Sequence, residues 1–293
     1  MERNTNPPKV IAEKCINCGQ CVSVCPSFVL DQVGEKARVV RGGWCIDCGH
    51  CGAVCPTEAI LHETVSSDTD SCKGLGPAVS PEILESFFRE RRSVRNYTED
   101  PVPENILNRI LDAGIYGPTG NNSQNVRYIV LTSPDQISRL RMMTTGFYDK
   151  VFARARGWLS GLILSWVAGR KTLEYLRESL PKVEYAYQQM KQGKDPLFFH
   201  APVVILAHAE SWDTCSSFNC SVALYQCSLL AHTLGLGCCF NGYLVNAVNH
   251  DQEIKKWLGV PPDHQCYAAM TLGYRDVTYQ RPIRRDSPKI TWR

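Results

Sequence analysis

No apolar run in the 293-residue sequence approaches about 18 residues, so no segment is expected to cross a bilayer as a helix. The opening MERNTNPPKV lacks the apolar stretch of an export signal, and a cytoplasmic protein is expected. An excess of one charge is missing too: the net is +3, and basic residues cluster only at RERRSVR (89–95) and RPIRR (281–285). That excludes the continuous basic stripe of a nucleic-acid binder and leaves two local anion sites. No serine–histidine–aspartate set or paired-carboxylate motif stands out. With 44% hydrophobic and 21% charged residues, disorder is excluded as well, and a globular chain with a sizeable core is expected. What the sequence has in abundance is cysteine. Fifteen thiols in a chain with no export signal read first as metal or cluster ligands, not as disulfides.

Charge and cysteine divide the chain. Residues 1–72 carry a net −3 and nine of the fifteen cysteines, while the remainder is at +6. A Ser/Asp/Gly/Pro-rich passage follows. The expected organisation is a small domain over 1–64, a linker over 65–80, and a larger α+β domain over 81–293.

Cys15, Cys18, Cys21 and Cys25 recur thirty residues later as Cys45, Cys48, Cys51 and Cys55, and Pro26 recurs as Pro56. Each half reads C-x2-C-x2-C-x3-C-P. Three thiolates at this spacing can wrap one face of an iron-sulfur cube, and the fourth starts a helix that carries it to the opposite cube. Paired zinc sites are the alternative, since C-x2-C also suits tetrahedral zinc, but the third cysteine and the trailing C-P fit a cubane better. The segment from about 10 to 62 resembles the two-cluster 4Fe-4S ferredoxins. The resemblance implies one cluster on Cys15, Cys18, Cys21 and Cys55 and another on Cys45, Cys48, Cys51 and Cys25. His50, inside the second motif, is read as a bystander or a local tuner of potential, not a ligand, because eight cysteines already satisfy two cubes.

After the linker, SPEILESFFRERRSVRNY reads as an amphipathic helix, with Ser80 as its cap and Pro81 at its first position. It ends in Arg91, Arg92, Ser93 and Arg95, forked donors and a hydroxyl of the kind a phosphate monoester requires. A second helix over about 104–115 leads into GPTGNNSQ and a strand. Further on come a long helix ending LGLG, an F-N-G turn, and a strand ending L-G-Y before an Arg-Pro tail. In this order the elements resemble the nitroreductase family of FMN flavoproteins, with an atypical segment over about 139–199. The resemblance implies a mostly antiparallel central sheet flanked by helices, in a homodimer with FMN at the subunit interface. It places Arg91, Arg92, Ser93 and Arg95 on the flavin phosphate and ribityl chain, and Pro118, Thr119, Gly120 and Asn122 against the flavin from the other subunit. Asn241 and Gly242 would lie by the reactive edge, and Arg281 or Arg284 would close on the phosphate.

GLGCCF (235–240) closes a helix instead of opening one, so no Rossmann site is expected there. Cys215, Cys220, Cys227, Cys238, Cys239 and Cys266 read as small buried hydrophobes, with Cys238 and Cys239 of interest because they precede the F-N-G turn. GWLSGLILSWVAG (157–169) is too short to span a membrane and reads as a buried or lid helix. Two cubes fused to FMN would join one-electron to two-electron transfer. The expected activity takes electrons from ferredoxin, or from NAD(P)H, through the clusters to FMN and on to a nitroaromatic, quinone or other conjugated acceptor. The alternative is an electron-transfer module serving a protein partner, with no small organic substrate.

Overall fold

The computed structural model describes residues 6–65, 79–158, 163, 166, 167 and 169–293. It divides into two units, Met1–Pro81 with Gly120–Ser123, and Glu82–Thr119 with Gln124–Arg293.

In the first unit the sequence repeat is also a repeat of backbone shape. Left-handed residues fall at Asn17, Gly19 and Phe28 (φ 58°, 74°, 56°) and again, thirty positions on, at Asp47, Gly49 and Glu58 (54°, 69°, 52°). Gly19 and Gly49 reverse the chain just before α1 (Gln20–Ser23) and α2 (His50–Ala53), a conformation that costs glycine little. Around the helices, β1 (Lys9–Val10) pairs antiparallel with β4 (Ile60–Leu61), and β2 (Leu30–Val33) pairs with β3 (Lys36–Val39). The buried centre is small: Cys21, Leu30, Ala37, Cys51 and Ile60. Two of these five are cysteines, so anything the thiols ligate is part of this unit's core.

The second unit is built on a sheet in the order β5 (Arg127–Leu131), β6 (Val203–Glu210), β8 (His264–Tyr274), β7 (Leu236–Phe240), every pairing antiparallel. The run VVILAHAE of β6 is buried almost throughout because helices cover both faces. Val203, Ile205, Ala207 and Ala209 meet α4 (Glu104–Ile115) and α7 (Ser216–Thr233). Val204 and Leu206 meet α5 (Pro134–Arg156) and α8 (Gly242–His250), near α9 (Gln252–Trp257). A β-carbon on Gly114 would collide with Tyr128 Oη and lie 2.8 Å from Cys227 Sγ, so glycine is what lets α4 and α7 meet. The α+β architecture with an antiparallel sheet is the one expected.

Helix α3 (Pro81–Glu90) begins at Pro81 as expected, but its apolar Ile83, Leu84 and Phe88 are exposed within the single chain. The atypical segment contributes the rest of α5 and a second long helix, α6 (Arg170–Lys191), packed on α5. Of the 157–169 stretch, residues 159–162, 164, 165 and 168 lie outside the described residues, as does the linker over 66–78; the described Trp158, Ile163, Trp166 and Val167 are exposed in the single chain, so they do not form the buried helix expected there.

Candidate functional site

Within the first unit the eight motif cysteines surround two small cavities. One is lined by Cys15, Cys18, Cys21 and Cys55, the other by Cys45, Cys48, Cys51 and Cys25. Each thus takes three sulfurs from one motif and the fourth from the other. Four thiolates, three from one C-x2-C-x2-C run and the fourth from the other motif, are the donor set of a two-cluster ferredoxin, and they fit a cluster better than zinc. The backbone is arranged for thiolates. Val29 N–H points at Cys25 Sγ (3.3 Å) and Ala59 N–H at Cys55 Sγ (3.2 Å), the same bond at the thirty-residue offset. N–H groups of Ala37 and Asn17 lower the pKa of Cys15. At Cys55 burial pulls upward, but the N–H groups of Thr57, Ala59 and Ile60 and the Thr57 hydroxyl outweigh it. Burial dominates at Cys51, whose thiol is pushed up to about 11. His50 begins α2 and is exposed beside the second cavity.

A residue the sequence reading missed is His62. Its side chain is buried, and Nε2 lies 3.7 Å from Cys45 Sγ and 4.0 Å from Asp47 Oδ1. Among the described residues, Cys45, Asp47 and His62 form the one such group of potential metal ligands close enough to share an ion. Its signal was present in the repeat: thirty residues earlier stands Gln32.

In the second unit the segment after α3 runs beside β7, with Ser93 bridged to Cys238 and Val94 N–H donating to the Cys238 carbonyl (3.0 Å). Arg92 lines a polar cavity with Arg89, His232, Arg275, Tyr279 and Arg281. The Arg92 Nε is buried without a hydrogen-bond acceptor, while its Nη1 donates to the carbonyls of Arg89 and Arg91. The structure thus brings Arg92 and Arg281 together. Arg91, Ser93, Arg95 and Arg284 do not line that cavity; the Arg91 guanidinium lies 6.0 Å from the Tyr225 ring centre and that of Arg95 5.8 Å from Phe199. Asn122 belongs to the first unit, where its amide donates to the carbonyls of Ile46 and Asp47, 3.0 Å each, and Gly120 lies with it. Pro118 and Thr119 belong to the second, where Thr119 Oγ1 accepts from Gln124 N–H (3.1 Å).

Asn241 is buried, and both the oxygen and the nitrogen of its amide have partners. Oδ1 accepts from Leu244 N–H (2.9 Å), capping α8, and Nδ2 donates to the Leu197 carbonyl (2.8 Å). Open space surrounds Gly242 where a β-carbon would be. With its oxygen capping the helix, Asn241 leaves the N–H groups at the start of α8 as what this turn can present to a ligand. Cys238 and Cys239 are buried, and burial holds the Cys238 thiol up at about 12 despite nearby Arg91. Cys220, Cys227 and Cys266 are buried in the same way, and Cys215, at the start of α7, is half-exposed.

A buried pair, His208 and His264, faces Nδ1 to Nδ1 at 3.0 Å across β6 and β8, with His264 Nε2 3.8 Å from Glu210. Burial, then His264 and Arg127, push His208 down from 6.5 to about 4. Between those values the unfolded chain binds the extra proton, so stability present above pH 6.5 is lost as pH falls towards 4, about 3 kcal/mol in all. His208→Gln is expected to flatten this part of the profile relative to the parent, read as urea midpoints at pH 7, 6, 5 and 4.5.

Comparison with known proteins agrees with this architecture. Residues 88–274 match the model of the nitroreductase family, and residues 6–60 that of a 4Fe-4S dicluster domain. A Methanothermobacter thermautotrophicus protein, provisionally named NADH dehydrogenase/NAD(P)H nitroreductase, is 23% identical over 68% of this chain and 80% of its own length. The chloronitrobenzene nitroreductase of Comamonas testosteroni is 25% identical over 66% and 87%. An NADH dehydrogenase of Thermus thermophilus reaches 40% identity, but over only 20% of this chain and 28% of that one. Among solved structures, an FMN-bound nitroreductase of Desulfitobacterium hafniense superposes with a TM-score of 0.52 at 21% identity, covering 73% of this chain and 99% of that chain. One from Bacteroides fragilis, also with FMN, gives 0.51 at 22%, covering 72% and 100%. The chain belongs to the nitroreductase family of oxidoreductases, and it carries a 4Fe-4S ferredoxin-type domain ahead of the family fold.

Proposed function

We propose that the chain is an iron-sulfur flavoprotein reductase, a homodimer. It passes electrons from a reduced ferredoxin through two 4Fe-4S clusters to FMN and on to a small conjugated acceptor such as a nitroaromatic or quinone. The observation that carries this reading is the cross-lining of the two cysteine cavities, in a chain whose larger part is a nitroreductase-family fold. The bound FMN named for the structural neighbours supports the flavin. The nicotinamide in the relatives' names makes NAD(P)H the competing donor.

When bound, clusters supply single electrons, and the flavin exchanges them for pairs. The protein's part is to hold and orient. Cys15, Cys18, Cys21 and Cys55, and Cys45, Cys48, Cys51 and Cys25, would ligate the two clusters. The N–H groups of Val29 and Ala59 donate to Cys25 Sγ and Cys55 Sγ and hold those sulfurs in place. Arg92 and Arg281 would bind the FMN phosphate from the polar cavity, with Arg91, Ser93, Arg95 and Arg284 completing its surroundings. Asn241 fixes the start of α8, so that the first-turn N–H groups of Gly242 and Tyr243 stand in place toward the flavin edge. Pro118, Thr119, Gly120 and Asn122 would close on the flavin of the second subunit.

Anaerobic addition of reduced ferredoxin, NADH and NADPH in turn tests the scheme by visible spectroscopy. Ferredoxin is expected to bleach the clusters first and the flavin second. Direct reduction of the flavin by a nicotinamide, with the clusters following, would reverse the direction and favour an electron-transfer module feeding a protein acceptor. Arg92→Ala is expected to weaken FMN binding on the order of ten- to a hundredfold, about 1.5–3 kcal/mol, by removing a charge-assisted contact. An unchanged dissociation constant, measured by fluorescence titration, would remove this cavity as the phosphate site.

A further inference from the structure

The two halves of the cysteine unit repeat in ligands, in helices and in left-handed residues, which makes a chemical asymmetry beside a ligand sulfur informative. In the first half Gln32 donates through Nε2 to Asn17, 2.9 Å to Oδ1 and 3.2 Å to the carbonyl, and so closes the loop between Cys15 and Cys18. At the equivalent place in the second half stands His62, and at the equivalent of Asn17 stands Asp47. The imidazole does not simply replace the amide. Its Nδ1 faces Thr64, 3.3 Å from the backbone N–H and 2.8 Å from Oγ1. A backbone N–H can only donate, so Nδ1 is an acceptor, and the ring proton of the neutral imidazole sits on Nε2. That nitrogen is the one 3.7 Å from Cys45 Sγ, within reach for a hydrogen bond to sulfur. The ring has no alternative partner in water, because the His62 side chain is 1% exposed. A thiolate that accepts a hydrogen bond donates less charge to its iron, which favours the reduced, more negative cluster.

We infer that His62 is a positioning residue for one cluster only: its Nε2–H donates to Cys45 Sγ and raises the reduction potential of the cluster held by Cys45, Cys48, Cys51 and Cys25. Asp47, 4.0 Å from the same nitrogen, places a carboxylate on that side and opposes the effect, so the histidine offsets a negative neighbour that the first half lacks. The inference rests on the two-cluster reading, and the two fail separately.

The experiment is an EPR-monitored redox titration of the full-length reconstituted protein, its His62→Gln and its His62→Leu variants, each with its iron count. In the parent, two midpoint potentials are expected with about eight iron atoms per chain. His62→Leu is expected to lower one of them and leave the other in place, with His62→Gln between, since a carboxamide can still donate. Eight irons with neither potential moved, or with both moved equally, overturns the role of His62 alone. Fewer than eight irons in the parent overturns the two-cluster reading. Should His62→Leu fail to assemble, ENDOR on the parent labelled with 15N-histidine decides. A nitrogen coupling to one reduced cluster supports the hydrogen bond, and its absence from both overturns it.

Discussion

Cys55→Ala is expected to halve the iron, from about eight to about four atoms per chain, and the cluster lost is the one whose other ligands stand thirty to forty residues away. Reading along the chain would assign Cys55 to the motif that contains Cys45, Cys48 and Cys51. The structure instead sets it around the cavity of Cys15, Cys18 and Cys21, while Cys25 joins the second motif. The surviving EPR signal should therefore persist when Cys18→Ala is added and vanish when Cys48→Ala is added. The opposite pattern would refute the cross-ligation. The cysteines are also core: Cys21 and Cys51 are buried among Leu30, Ala37 and Ile60, so loss of a cluster is expected to loosen the unit as well.

The cysteine spacing was legible because a ligand set is written locally, with three of each four thiolates inside seven residues. The fourth was implied by the ferredoxin resemblance, not by a helix that it starts: Cys25 and Cys55 lie just after α1 and α2, in non-helical backbone. Helix starts at Pro81 and Glu104 were legible too, since proline and the residues around it fix the first turn. Strand β6 was not read, and for a physical reason: VVILAHAE is covered on both faces, so it lacks the alternation that separates a strand from a short buried helix. The F-N-G turn was recognised, but what Asn241 does there was not visible. An asparagine before a helix is a cap in any protein, and only the fold shows that its second hydrogen bond reaches back to Leu197. Arg92 and Arg281 lie far apart in sequence and meet at one cavity, whereas Arg91 and Arg95, adjacent to Arg92 in the motif, are held against aromatic rings elsewhere. His62 escaped for a different reason. A single histidine says nothing until the repeat is extended past its last cysteine and its partner Thr64 is seen fixing the tautomer.

Asp195→Ala is expected to cost about 3–5 kcal/mol, the largest loss of stability predicted for the second unit, because one carboxylate there holds an entire turn. Its side chain is 2% exposed and lies 3.3 Å from Arg141 on α5. Oδ1 accepts from the N–H groups of Leu197 (3.1 Å) and Phe198 (2.9 Å), and Oδ2 from that of His200 (3.3 Å). The turn needs such a grip: Phe199 and His200 both have left-handed backbones, at φ 58° and 54°, which neither side chain adopts freely. Without the carboxylate, three donors lose their acceptor, the Arg141 charge loses its partner, and the strain is released. Asp195→Asn keeps an acceptor but no charge, so a smaller loss is expected, near 1–3 kcal/mol. The consequence reaches the proposed flavin edge, since the Leu197 carbonyl of this turn anchors the Asn241 amide that caps α8. Urea midpoints should therefore rank parent, Asn, Ala, and FMN affinity should fall in the same order although Asp195 lies outside the polar arginine cavity. Equal midpoints for the Asn and Ala variants would show that packing, not the carboxylate, holds the turn; a stability loss with FMN affinity unchanged would disconnect this turn from the flavin edge.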